Sequence, residues 1–237
     1  MRLIEARQLA ARIDHSLLRA TASSRDIERV AAEAIAYRFG TICISPCHVP
    51  LAVELLSGTD VKICTVAGFP LGTSSTRAKA CEAAEAVERG AHEIDMVANL
   101  GLIKDRRYGD LVDEVRQVVH AASPAKVKVI IECSELTEHE KVETARALLD
   151  SGAHYVKTST GFASGGAKEH DVRLIKEIIH GRMKIKAAGC IRDLAMALAL
   201  IDAGADRLGT SSGVLIMESL KRLLAAAHMP QPDRPVA

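Results

Sequence analysis

Residues 152–157 read Gly152-Ala153-His154-Tyr155-Val156-Lys157. The pattern recurs as Gly90-Ala91-His92-Glu93-Ile94-Asp95 and again as Gly204-Ala205-Asp206-Arg207-Leu208-Gly209. In each copy the glycine follows a helical pattern, where a left-handed residue closes a helix. A short apolar strand then begins at a fixed offset. A helix-to-strand junction repeated along one chain implies parallel strands, because parallel neighbours need crossover connections.

Working outward from the repeat, apolar strand candidates lie at 13–17, 42–45, 62–67, 93–98, 127–132, 155–159, 184–188 and 207–210. The intervening segments read as helices. Residues 78–89 are rich in Ala and Glu, and Thr137 with Glu140 has capping-box spacing. Val172, Ile175, Ile178 and Ile179 recur at helical intervals. Eight such units in 237 residues suit a single-domain (β/α)8 TIM barrel. An open doubly wound sheet is the alternative, but no G-x-G-x-x-G follows an early strand. The barrel is expected over residues 1–228, with a flexible Pro-rich tail at 229–237. The repeats fall on the fourth, sixth and eighth strands, and alternate strands share interior layers. Asp95, Lys157 and Gly209 are therefore expected at one height. Period-two alternation puts Tyr155, Lys157 and Ser159 on the inner face, with Val156 and Thr158 toward the helices.

Composition narrows the function. The 31 basic and 30 acidic residues nearly cancel, and there are three Phe, three Tyr and no Trp. Neither a nucleic-acid surface nor a stacking platform is implied. No apolar run reaches membrane-spanning length, and the N-terminus lacks a signal-peptide core. Cysteines at 43, 47, 64, 81, 133 and 190 form neither a disulfide framework nor a C-x-x-C zinc site. Cys43, Cys47 and His48 cluster in sequence and read as small core residues in preference to a metal site. A reducing, cytoplasmic setting fits.

Lys157 sits in the middle of an apolar strand, and an unpaired buried ammonium is costly. Lys186 lies in the next strand, and adjacent strands are about 4.8 Å apart. Two neighbouring ammonium groups disfavour double protonation, and desolvation acts in the same direction. One lysine then becomes a neutral amine able to form a Schiff base with a carbonyl. Asp95 points to the same mouth and can move the protons this requires. Either lysine alone would read more readily as structural or solvated, and a Lys157–Asp95 ion pair is the plain alternative. Lys184 shares the parity of Lys186 but starts its strand, so it belongs to the stability face.

Gly209-Thr210-Ser211-Ser212-Gly213 follows the last strand and precedes a helical run. Small residues there let backbone N–H groups approach an anion at a helix N-terminus. Ala188-Gly189-Cys190 follows the seventh strand, and loops after strands seven and eight commonly hold phosphate in such barrels. Gly68-Phe69-Pro70-Leu71-Gly72 reads as a turn near the substrate.

Taken together, the segments IDHSLL, GFPLGTSSTRAKACEA, GAHEIDMVANLG, KVIIEC, YVKTSTGF, KIKAAGCIR and RLGTSSG resemble the deoxyribose-phosphate aldolase family, in order over roughly residues 12–220. The resemblance implies a TIM barrel that cleaves 2-deoxy-D-ribose 5-phosphate reversibly through a Schiff base, with no cofactor and no metal. Lys157 matches the Schiff-base lysine, Lys186 the second lysine that lowers its pKa, and Asp95 the acidic residue of the proton relay. Asp14, Ser16 and Cys43 match positions of an outer relay or substrate pocket. Gly161, Gly189, Cys190, Gly209, Ser211 and Ser212 match phosphate-contacting segments. The implied partner is a small sugar phosphate, with no nucleic acid and no membrane, and a homo-oligomer, dimer or tetramer, is expected. Two departures stand out. The family commonly has two glycines where this chain has Gly189-Cys190, and the C-terminal tyrosine that some members use has no counterpart, since the last tyrosine is Tyr155.

Other readings are a different lysine-dependent sugar-phosphate aldolase, or a sugar-phosphate-binding barrel without turnover. The latter gains nothing from Lys157, Lys186 and Asp95 together. A metal-dependent aldolase is disfavoured, because the nine histidines do not gather at strand ends.

Overall fold

The computed structural model describes residues 5–227. Eight parallel strands close into a barrel in chain order. They are β1 (Ile13–Leu17), β2 (Thr41–Ile44), β3 (Lys62–Ala67), β4 (Glu93–Val97), β5 (Lys126–Ile130), β6 (Tyr155–Lys157), β7 (Lys184–Ala188) and β8 (Arg207–Thr210). This is the expected (β/α)8 architecture. The tail expected at 229–237 lies outside the described residues.

Three strand ends differ from the sequence reading for local reasons. β6 stops at Lys157, because the Thr158 hydroxyl accepts from the Ala188 N–H at 3.1 Å and replaces a backbone partner. β5 ends at Ile130, and Glu132 beyond it adopts a left-handed φ of 50° that no strand tolerates. β4 ends at Val97, and Asn99 caps a short helix directly after it. The three repeated glycines take φ of 106° (Gly90), 79° (Gly152) and 120° (Gly204). Gly90 and Gly204 leave their helices in a conformation that side chains oppose, whereas Gly152 takes it in the turn beyond the C-cap Leu149, so it does not close its helix as expected.

The apolar core lies between barrel and helices. Val127, Val129, Val156, Ile185, Ala187 and Leu208 face outward from the strands and are buried. Helix Glu169–Ile179 meets them with Val172, Ile175 and Ile179 on one face. Helix Glu138–Leu148 starts with the expected Thr137–Glu140 capping box. No helix among the described residues is long and apolar enough to cross a membrane.

One buried ion pair crosses this shell. Lys79 of helix Thr76–Glu88 lies 3.0 Å from both Glu114 oxygens and donates to the Val97 carbonyl at 2.9 Å. Glu114, on helix Tyr108–Ala121, also accepts from the Asn99 N–H at 3.0 Å. Two helices are thus fastened to the upper end of β4. Removing one partner strands a buried charge, so Lys79→Met should lower the unfolding free energy by about 3–5 kcal/mol. Lys79→Met/Glu114→Gln should recover part of that loss, measured by urea denaturation. A double variant no more stable than Lys79→Met would contradict this account.

Candidate active site

Strand register sorts the lumen into layers. Thr41, Glu93, Tyr155 and Arg207 from the even strands form the lowest. Asp14, Cys64, Lys128 and Lys186 from the odd strands come next. Cys43, Asp95, Lys157 and Gly209 sit above them, again from even strands. The expected common height of Asp95, Lys157 and Gly209 follows from this register. Barrel lumens of this type are usually filled by branched aliphatic side chains in such layers. Here seven of twelve positions carry charge.

Asp95 is the hub. Its Oδ2 accepts from Lys157 at 2.7 Å and from Lys186 at 2.6 Å. Its Oδ1 accepts from Lys128 at 2.8 Å and from the Cys64 thiol at 3.2 Å. Below it, Lys186 reaches Asp14 at 2.5 Å, and Lys128 reaches Glu93 at 2.6 Å. Arg207 pairs with Asp14 and lies 3.6 Å from Glu93. Burial opposes ionisation of Asp95, but the Lys128, Lys157 and Lys186 ammonium groups outweigh it and hold Asp95 well below the carboxylate range. Burial likewise opposes charge on Lys186 and Lys128, yet the carboxylates prevail and raise both above the ordinary lysine value.

Gly209 makes this packing feasible. A Cβ there would stand 3.0 Å from Lys186 Cε and 2.9 Å from Ala188 Cβ. The lysine stem therefore rises through space that a side chain would fill.

Above the layers opens a cleft of about 550 Å³ with Lys157 at its floor. Ser16 and Gly209 line it near the lysine. Gly161, Gly189 and Cys190 form its next wall, and Ser211 and Ser212 stand beside the start of helix Gly213–Ala227. The structure thus brings eight of the expected residues to one cavity. Asp95, Lys186, Asp14 and Cys43 are fully buried beneath it. Asp14 lies a layer below the mouth and bonds lumen cations instead of facing the cleft.

The loops are cross-braced. The Thr210 hydroxyl donates to the Ile191 carbonyl at 2.6 Å and accepts from the Ser212 N–H at 2.9 Å. The Glu132 carboxylate accepts from the Thr160 hydroxyl at 2.5 Å and from its N–H at 3.1 Å, which stiffens the turn carrying Gly161. Cys190 follows Gly189 and takes φ of 60°. A non-glycine residue there is strained by about 1–2 kcal/mol. Opposite the loops, Leu18 and Phe69 pack over Cys43, Cys64 and Val66 as an apolar wall. Phe69 meets Phe162 edge-on, with ring centroids 5.2 Å apart.

Two corrections concern the cysteines and the lumen. Cys47 is exposed on the short turn Pro46–His48, so it is not the small core residue expected, whereas Cys43 is buried in the barrel. Among the described residues, Cys43, Cys64 and Asp95 have metal-ligand spacing. Three lysine nitrogens and the Cys64 thiol already occupy the two Asp95 oxygens, however, and Lys128 and Lys186 repel a further cation there. Sequence reasoning missed Lys128, Glu93 and Arg207 in the lumen. The signal was present: Lys126-Val127-Lys128 on β5 repeats the Lys184-Ile185-Lys186 pattern of β7. It also missed Arg19, Arg29 and Arg192, which line the cleft. Arg29 is held at 2.8 Å by Glu33, which bonds the buried His15 at 2.7 Å.

The lumen predicts an acid limb. Burial resists ionisation of Asp14, but Lys186, Lys128 and Arg207 bring it from 3.8 to about 2. A carboxylate depressed by folding stabilises the native state above its unfolded value, and that contribution is lost as pH falls through the folded value. Stability should therefore drop between about pH 4 and about pH 2, with Asp95 acting in the same sense. Asp14→Asn should be less stable at neutral pH and show a shallower drop by urea titration. Equal slopes in the two proteins would remove Asp14 from the acid limb.

Comparison with known proteins places this geometry. The family model described as DeoC/LacD family aldolase matches residues 9–218. A deoxyribose-phosphate aldolase of Carboxydothermus hydrogenoformans is 47% identical, over 92% of this chain and 97% of that protein. One of Dictyoglomus turgidum is 50% identical, over 90% and 97%. The solved deoxyribose phosphate aldolase of Aeropyrum pernix superposes with a TM-score of 0.86 at 34% identity, over 92% of this chain and 93% of that one. Sequence and fold agree that the chain belongs to the DeoC/LacD family of aldolases.

Proposed function

We propose that Lys157 is the nucleophile of a Schiff-base aldolase, with Asp95 and Lys186 as its proton-handling partners. The reaction is reversible cleavage of 2-deoxy-D-ribose 5-phosphate to D-glyceraldehyde 3-phosphate and acetaldehyde. The observation that carries the assignment is an amine at the floor of a cleft, bonded to a carboxylate that a second lysine shares.

The chemistry follows from these positions. The Lys157 amine adds to the C1 aldehyde of the open-chain sugar, and loss of water gives an imine. The imine is an electron sink for C2. Loss of the C3 hydroxyl proton then breaks the C2–C3 bond, releases D-glyceraldehyde 3-phosphate and leaves an enamine on Lys157. Protonation at C2 and hydrolysis free acetaldehyde and the lysine. Asp95, in contact with both lysine nitrogens, is placed to pass protons between them and the substrate. The apolar wall of Leu18 and Phe69 flanks the two-carbon end.

The phosphate is assigned to the opposite end. Gly161, Gly189, Cys190, Ser211 and Ser212 offer backbone and hydroxyl donors there, at the start of helix Gly213–Ala227. Arg19, Arg29 and Arg192 add positive field. Ser16 and Gly209 flank the sugar chain, while Asp14 and Cys43 support from below. A homo-oligomer is proposed as well, since the Aeropyrum pernix relative is described as tetrameric. A cytoplasmic setting accords with the free cysteines.

Borohydride reduction in the presence of acetaldehyde should add an ethyl group at Lys157, located by peptide mapping. Labelling confined to Lys186, Lys128 or Lys184 would sink the assignment. Ser212→Asp puts a negative charge at the phosphate end. It should weaken kcat/KM for the phosphorylated sugar by about tenfold to a hundredfold, the range of one lost charge-assisted hydrogen bond, relative to free deoxyribose. Equal losses on both substrates would move the phosphate elsewhere.

A further inference from the structure

The closed lumen holds more cations than carboxylates. Lys128, Lys157, Lys186 and Arg207 face Asp14, Glu93 and Asp95, and all but the edges of Glu93, Lys157 and Arg207 are sealed from solvent. We propose that Lys128 and Arg207, which lie in the layers beneath Lys157, are positioning residues that keep Lys157 in its neutral, nucleophilic form by giving the barrel one cation too many.

An uncompensated charge in a desolvated site is expensive, so such a cluster sheds a proton where the proton is held least. The ion pairs say where. Lys128 meets Glu93 at 2.6 Å, Asp95 at 2.8 Å and Asp14 at 3.8 Å. Lys186 meets Asp14 and Asp95 at 2.5 and 2.6 Å. Arg207 meets Asp14 and Glu93 and, as a guanidinium, keeps its charge. Lys157 meets Asp95 alone, through an oxygen that Lys186 also uses. It is also the cation at the cleft floor, where a proton can leave. The surplus is therefore resolved at Lys157, and every cation below contributes, not only the adjacent Lys186.

The remaining titratable groups around the cluster are Cys43, Cys64 and Tyr155 in the lumen, Lys184 beneath Tyr155, His92 and His154 (whose imidazoles burial lowers) near Glu93, and the arginines at 19, 29 and 192 above. The arginines add to the positive field. Burial raises the Tyr155 phenol and the Cys64 thiol, so neither readily supplies a compensating negative charge. Cys43, whose thiol is lowered first by its hydrogen bond with Cys64, is the one competing source.

The inference rests on Lys157 forming the imine, and its test reads the pH midpoint of borohydride trapping at that residue with acetaldehyde. Lys128→Met leaves three cations and three carboxylates. Its midpoint should rise, and trapping at neutral pH should fall by about tenfold for every pH unit the midpoint moves. Glu93→Gln enlarges the surplus, and its midpoint should fall. The double variant Lys128→Met/Glu93→Gln restores a surplus of one and should return toward the parent midpoint, although it has lost more contacts than either single variant. A purely structural role predicts instead that the double variant is the worst of the three. If Lys128→Met does not fold, the lower midpoint of Glu93→Gln decides the matter alone. An unchanged midpoint in Glu93→Gln, or a double variant displaced further than Lys128→Met, would overturn the proposal. So would a fall in midpoint in Cys43→Ser, which would mean that a thiolate had balanced the charge. Failure to label Lys157 in the parent at any pH would instead refute the Schiff-base reading on which the inference stands.

Discussion

Four donors within 3.2 Å converge on the Asp95 carboxylate, and one of them, Lys157, has no other carboxylate within reach. Lys128, Lys157, Lys186 and the Cys64 thiol all meet its two oxygens inside a sealed lumen. Each ammonium alone would be excluded from such a place. Together with Asp14 and Glu93 beneath them they form a lattice that tolerates burial only as a whole. The lattice dictates strand register, since a shift of one residue would turn β4, β5, β6 or β7 charges into the helix shell.

The division of labour between the two sides of the sheet follows from this. Outward-facing residues such as Val129, Val156 and Ile185 join the helices in an ordinary apolar core. Inward-facing residues are released from the task of filling space with hydrocarbon and can hold charge. The barrel is thus stabilised from outside and chemically specialised from inside. The Lys79–Glu114 pair at the end of β4 braces the barrel from this outer shell.

Much of this was legible in the sequence, and the reasons are specific. The Gly-Ala-x repeat marked helix-to-strand junctions because glycine is needed at positive φ, and the structure has positive φ at all three sites. Lysines in apolar strands marked the lumen, because period-two alternation leaves them no exposed face. Lys128 escaped notice although it satisfies the same rule, because it stands between Lys126 and a run of Val and Ile that reads as plain core. Arg207 escaped because it opens its strand, a place where exposure is the ordinary expectation. Arg19 and Arg29 could not be placed, since Arg29 reaches the cleft from helix Ser24–Tyr37 and Arg19 from the loop before it, where it pairs with Asp26 of that helix.

Gly209 carries a consequence beyond fitting one lysine stem. A lumen layer has room for four side chains, and at this height it holds three. The empty seat makes the layers interlock vertically, so that a group from one storey reaches a partner on the next. Reach, and not only composition, is therefore encoded by an absence. A single methyl at this position would leave every charged residue in the chain intact and still crowd the Lys186 stem on its way to the upper storey. The reach of Lys186 is thus set by a residue that carries no charge at all.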